Sequence, residues 1–240
     1  MNVYFQNDTE EAKIDIKVKL IFILFIAYWI WQFLSFDTTV LKKVDMKPFS
    51  EPIQVNIENG KPFEKKIPEG VVTITPLAEY KLYGRVMDHH YRPPKLGIAA
   101  VYPYDILIGF GAFEHKEVYK AVNVKMASTV SYISYSGSNW NNHLAKYFVN
   151  SENDIFYYFT NNHLCPANKN VRLGLKKLKK KDIVYIEGYL MKFDYKRNDG
   201  WTAQGVSSTS RNDTFRGDNG SGNCEQIYVT RVVSRYGEFK

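Results

Sequence analysis

Residues 171–191 read VRLGLKKLKKKDIVYIEGYLM, and the way this stretch divides decides the fold. Val171, Leu175 and Leu178 recur at helical spacing, with Lys176, Lys177 and Lys179 to Lys181 on the other face. From Ile183 to Met191 nearly every residue is apolar or aromatic, the mark of a strand buried on both sides. Working outward, Asp199-Gly200 marks a hairpin turn. Trp201–Ser207 reads as its returning strand, and Ile227–Val233 closes the chain as a last strand. Upstream, Ile53, Val55 and Ile57 alternate with polar residues, and Val72, Ile74 and the stretch Glu79–Met87 continue the strand pattern. Asp88 to Pro94 reads as a loop, because two prolines end a strand. Glu114–Val122 reads as a short helix and Val124–Tyr135 as one long strand. The aromatic run in Ser151–Asn161 fits neither period. The class that follows is mainly β (α+β): an antiparallel β-rich domain of seven or eight strands with two or three short helices.

Composition supports a real core. Of 240 residues, 45% are apolar and 15% aromatic, far more than a disordered chain carries. The net charge is +7, yet the first 19 residues hold three lysines against four acids, so the remainder carries +8. Such a balance attracts nucleic acid, anionic lipid or other polyanions, and it also serves solubility alone.

The most apolar stretch is Leu20–Phe36, LIFILFIAYWIWQFLSF, with no charge in 17 residues. That length is enough for a transmembrane helix, and Tyr28, Trp29 and Trp31 suit a membrane interface. The expected organisation is an N-terminal tail (1–19), a single transmembrane helix (20–36) in contact with the lipid bilayer, a tether (37–52) and the β-rich domain (53–240). A short tail before the span is the layout of a signal-anchor. It implies a single-pass protein of a bacterial inner membrane with its C-terminal domain exported, although the flanking lysines are balanced.

Candidate chemistry concentrates near the C-terminus. Ser208, Ser210, Arg211 and Asp213, followed by Glu225, form a dense polar group. An arginine fork there suits a carboxylate or phosphate, while the same Asp and Ser types also cap their own turns. Histidines occur at 89, 90, 115, 143 and 163, with no HxH, HExxH or CxxC spacing, so no metal and no cofactor is expected. His163, just before Pro166, reads as a hydrogen-bonding strut in a rigid turn. Cys165 and Cys224 form one disulfide if the domain is exported, and otherwise act as small buried hydrophobes. No Gly-x-Ser-x-Gly elbow is present, and Ser50, just beyond the apolar run, has no motif around it. Lys176–Lys181 with Tyr185, Tyr189 and Phe193 has the composition of a nucleic-acid surface.

Lys181 to Leu190 and Tyr83-Gly84-Arg85-Val86 resemble the opening strands of small barrels such as OB-folds. The C-terminal part, over 76–230, resembles a family of uncharacterised bacterial membrane-anchored proteins. The residues that carry this likeness are Pro103-Tyr104-Asp105, Gly109-Phe110-Gly111, Asn162-His163-Leu164 with Pro166-Ala167, and Asp182-Ile183-Val184. Most specific are Asp199-Gly200-Trp201, Ser207 to Thr214 and Gly222-Asn223-Cys224-Glu225, with a longer loop here between Thr214 and Cys224. The resemblance marks a domain and a loop cluster and implies no reaction. The expectation is a non-enzymatic envelope domain that binds a protein, peptide or envelope polymer. The alternatives are an envelope hydrolase using the same loop, and a basic domain that binds nucleic acid or anionic lipid. Nucleic acid is the wrong partner for an exported domain.

Overall fold

The computed structural model describes residues 18–30, 41, 44–93, 97–127, 130–149, 152–207, 209 and 224–240, and one strand organises them. β3 (Gly70–Tyr91) runs for 22 residues, joining stretches that read in sequence as two strands and part of a loop. Along most of its length it pairs with β8 (Ile183–Arg197), and at its C-terminal end with β4 (Tyr104–Gly109). Pro76, which has no N–H to give, stands at a bulge in the β3–β8 ladder. Continued pairing with β4 keeps His89 and His90 on the strand rather than in a loop.

β4 pairs with β7 (Phe159–Pro166), β7 with β10 (Glu225–Ser234), and β10 with β8. Because β8 also pairs with β3, these five strands close into a barrel. Four of its ladders are antiparallel, and β7–β10 is parallel. The sheet is therefore mixed, which corrects the antiparallel expectation. The reason is a crossover: after β7 the chain passes through α4 (Lys169–Lys177) and β8 before β10 lies down beside β7. Order 1-2-3-5-4-1 with the third and fifth strands parallel is the connectivity of an OB-type barrel.

The interior is filled from all five strands by Tyr80, Leu82, Ile106, Ile108, Leu164, Val184, Ile186, Ile227 and Val229, among others. α4 closes one end. Asn168 caps it, accepting from the N–H groups of Asn170 and Val171. Val171, Leu175 and Leu178 then enter the barrel core beside Phe239, while the lysines of the last turn stay exposed.

Three additions sit outside the barrel. β2 (Phe63–Ile67) and β9 (Thr202–Val206) flank the outer halves of β3 and β8. Their shared core of Val72, Ile74, Met191, Phe193 and Tyr195 is covered by the turn Gly97–Ala100 with Val101 and Tyr102. β1 (Ile53–Asn56) runs along β3 beyond β2, and the short β11 (Gly237–Phe239) pairs with β10. Between β4 and β7 lies an insertion containing α2 (Lys116–Ala121), β5 (Asn123–Ala127), β6 (Val130–Ser134) and α3 (Gly137–Asn139). β5 and β6 form a hairpin of their own, not one long strand over 124–135. The insertion packs Phe113, Val118, Leu144, Phe148 and Ile155 onto Met87, Leu107 and Phe159 of the barrel wall.

The expected transmembrane anchor is corrected. Residues 18–30 form helix α1. At 1.5 Å per residue its described part is about 20 Å long, against the roughly 30 Å of a bilayer's hydrocarbon core. No helix among the described residues is long and apolar enough to cross a membrane, so single-pass anchoring is not supported. Residues 31–36 lie outside the described residues. Part of the expected tether belongs to the domain, because Leu41 and Met46 join Tyr83, Tyr185 and Val233 in one buried cluster. Phe49 stacks on Tyr83 with ring centroids 6.5 Å apart.

Candidate functional site

β7 is the anomaly of the fold. All eight of its residues are buried, yet Thr160, Asn161, Asn162 and His163 are polar. Central buried strands are ordinarily apolar, and a buried polar residue is more informative than a buried apolar one. Alternation along the strand sends two of the four inward and two outward. Thr160 and Asn162 stand opposite the interior residues Ile108 and Ile106, whereas His163 stands opposite Asp105.

The inward pair meets Glu225 of β10. The Thr160 hydroxyl donates to Glu225 Oε2, and Asn162 Nδ2 donates to the carbonyls of Ile106 (3.0 Å) and Thr160 (2.9 Å). Glu225 was expected among the ligand-binding residues of the C-terminal loop. It is 2% exposed and sits in the parallel register beside Asn162. Ser208, Ser210, Arg211 and Asp213 lie outside the described residues.

The outward pair builds the candidate site. His163 Nδ1 is 2.5 Å from Asp105 Oδ1, and Arg92 Nη2 donates to the same oxygen at 2.8 Å. In the neutral imidazole the carboxylate acceptor places the proton on Nδ1, which leaves the lone pair on Nε2. Asp105 has no exposed surface, and its Oδ2 has no hydrogen-bond partner among the described residues. Arg92 neutralises the buried carboxylate, as a charge out of water requires. Tyr102 stacks on the imidazole at 4.9 Å, and the Arg92 guanidinium lies 5.2 Å from the Tyr102 ring. Burial pushes the Tyr102 phenol up to about 12, with Asp105 and Cys224 adding to the rise and Arg92 opposing it. Asn161 Nδ2 reaches Cys224 Sγ at 3.4 Å. The side chain of His163 keeps 9% of its surface open.

Position explains the arrangement. OB barrels take ligands on the face of strands two and three, between the loops that follow strands one and four. Here those strands are β4 and β7, and every residue of both is buried. The insertion covers one end of their outer face and the turn Gly97–Ala100 with Val101 and Tyr102 covers the other. Asp105 and His163 occupy β4 and β7 on this face, Arg92 and Tyr102 come from the β3–β4 connection, and Cys224 is the first described residue before β10.

The disulfide conditional on export is absent; both cysteines are free thiols. In the β7–β10 register Cys165 faces Tyr228, four residues beyond Cys224. The offset is about 13 Å at 3.3 Å per residue, well past the roughly 7 Å limit for a bridge. Burial raises the Cys165 thiol to about 11. Among the described residues, no group of three or more His, Cys, Asp and Glu is placed to hold a metal ion. His89 and His90, being neighbours on a strand, turn to opposite faces. Ser50 Oγ donates to the Lys47 carbonyl at 2.9 Å, a bond within its own turn. Tyr185 and Phe193, expected as aromatic platforms, are 2% and 0% exposed.

Sequence reasoning missed Arg92, Tyr102, Asp105 and Asn161 as a group and read His163 as part of a turn. The available signal was four polar residues in a row between the aromatic run ending at Phe159 and Leu164-Cys165. In comparisons with protein-family models, curated proteins and solved structures, nothing matches this chain.

Proposed function

We propose that the chain is a binding domain without catalysis, and that it holds its ligand at the outer cluster of Arg92, Tyr102, Asp105, Asn161 and His163. One observation carries this reading: a fully buried carboxylate, Asp105, fixes the tautomer of a histidine at the edge of solvent. Buried charge of this kind costs stability against an apolar packing, and held geometry of this kind suits recognition. With Nδ1 committed to Asp105, Nε2 accepts a hydrogen bond from a hydroxyl or amide N–H. The ligand class is therefore a peptide or an envelope polymer rich in such donors.

Two observations weigh against the rivals. For nucleic acid, two of the three expected stacking residues, Tyr185 and Phe193, are in the core. For a hydrolase, the base would hold a serine hydroxyl within hydrogen-bond reach, and among the described residues His163 bonds only Asp105.

Thermal-shift measurements against arrays of oligosaccharides and of short peptides test the reading. A ligand that raises the melting temperature of the wild type should fail to do so with His163→Ala, whose own fold is checked by circular dichroism. If no member of either array shifts the wild type, or the same member shifts both proteins equally, the reading is lost.

A further inference from the structure

The insertion carries a cavity of its own, about 380 Å³ in volume and lined by Lys116, Glu117, Lys120, Ala121, Asn139 and His143. That size falls within the range of small-molecule pockets. Lys116 and Lys120 stand one turn apart on α2, a spacing at which like charges repel. Both are exposed, and neither has an ion-pair or hydrogen-bond partner among the described residues. Another wall is a single π turn, Trp140–Leu144, a feature that recurs at functional sites. Leu144 is buried beneath it, and Trp140 stacks on Tyr135 and Phe148, so His143 is carried on a packed support. Asn139 ties this wall to α2, its Nδ2 donating to the Ala121 carbonyl at 2.9 Å.

Glu117 is the one acid in the lining, and its charge is already met. The Tyr147 hydroxyl donates to Oε1 at 2.6 Å, and Lys146 Nζ reaches the same oxygen at 3.4 Å. The Tyr147 bond holds the carboxyl down to about 2, so Glu117 is ionised and acts as an acceptor only. With Lys146 balancing Glu117, Lys116 and Lys120 leave a surplus of two positive charges. We propose that this cavity binds a phosphate monoester of a small hydroxyl-bearing molecule, of the sugar-phosphate class. Such a phosphate carries about −1.5 to −2 at pH 7, which matches the surplus, whereas a single carboxylate meets half of it. Lysine ammonium groups bind phosphate as point charges, and His143 adds a ring nitrogen to the same lining.

The hydroxyl groups have acceptors of their own. An ionised carboxylate has about four lone-pair sites, so Glu117 keeps capacity beyond Tyr147 and Lys146. Asn139 Oδ1 is a second acceptor, because its Nδ2 is committed to Ala121. Unpaired lysines beside two acceptors in one cavity suit a phosphorylated polyol better than a simple anion or a neutral sugar. The cavity shares no residue with the outer cluster around His163, so binding at the two places is read apart.

The full-length protein is titrated calorimetrically at low salt with glycerol 3-phosphate, ribose 5-phosphate and glucose 6-phosphate, and with inorganic phosphate and glucose for comparison. At least one of the three esters should bind about tenfold tighter than inorganic phosphate, the contribution of a hydroxyl hydrogen bond to a charged acceptor. Glucose should not bind. Lys116→Gln and Lys120→Gln should each weaken that ester about tenfold, and Glu117→Gln should erase its preference over inorganic phosphate. The proposal is overturned if no ester binds more tightly than inorganic phosphate, if glucose binds as well as the esters, or if the lysine variants or Glu117→Gln behave as wild type. Should a variant not fold, acetylation of the wild type by acetic anhydride, mapped by mass spectrometry, decides alone. The tightest-binding ester should shield Lys116 and Lys120 and leave the exposed Lys176 of α4 reactive. Labelling of Lys116 and Lys120 that is the same with and without the ester overturns the proposal.

Discussion

Asp105 shows how one residue sets the chemistry around it. Its buried carboxylate draws in Arg92 and His163, and the Tyr102 ring closes over the imidazole. Tyr102 gives this cluster a signature in alkali. Its folded phenol is raised to about 12 by burial, against about 10 in an unfolded chain. Above pH 10 the unfolded chain sheds a proton that the folded chain retains. The resulting stability is complete below pH 10 and is lost as the pH climbs to about 12, by roughly 2–3 kcal/mol. Urea unfolding of wild type and Tyr102→Phe at about pH 9 and pH 11.5 should show the wild type losing about 2 kcal/mol more than the variant. Equal losses would place Tyr102 in water. Asp105 does not stand out in the sequence, being one polar residue among apolar neighbours, and His163 is only the last of a polar run. Only the β4–β7 register puts them opposite each other.

Elements were legible in proportion to how local their causes are. The amphipathic α4, the buried β8 and the Asp199-Gly200 hairpin all follow from nearby residues, and all are present. β3 was harder, because Pro76 and the histidine pair argue for breaks in isolation. Two long ladders outweigh them, with a bulge absorbing the missing donor. Parallel pairing of β7 with β10 lies beyond local reading, since it joins segments about sixty residues apart. The β8–β10 ladder carries its own constraint at Gly188, where an added Cβ would lie 2.1 Å from the Tyr228 carbonyl oxygen. Backbone cannot yield as a flexible side chain does. Gly188→Ala should therefore cost about 2 kcal/mol or more in urea unfolding, whereas Gly200→Ala meets no atom within 4 Å and pays only for its left-handed φ of 92°. A Gly188→Ala variant as stable as wild type would mean that β8 and β10 do not approach this closely.

At the scale of the molecule, a closed barrel is covered from outside by its own insertions, and the chain before β1 contributes to that cover. Leu41, Met46 and Phe49 are each less than 9% exposed, and burying such side chains is worth about 1.5–3 kcal/mol apiece. Relative to a chain beginning at residue 41, one beginning at residue 51 should lose at least about 3 kcal/mol, measured by urea unfolding. Equal stability of the two truncated chains would remove residues 41–50 from the folded domain.

What the amino-acid sequence determined by itself was the β-rich class, the basic balance and the short-range elements, because periodicity, turn residues and composition act over a few neighbours. It also marked 20–36 as strongly apolar, but no helix among the described residues is long and apolar enough to cross a membrane. Tertiary structure decided the barrel closure, the separation of the two cysteines and the convergence of Arg92, Tyr102, Asp105 and His163. These depend on strand register and crossover, where residues far apart in sequence meet at about 5 Å across a ladder, and no local pattern encodes which strand becomes the neighbour of which.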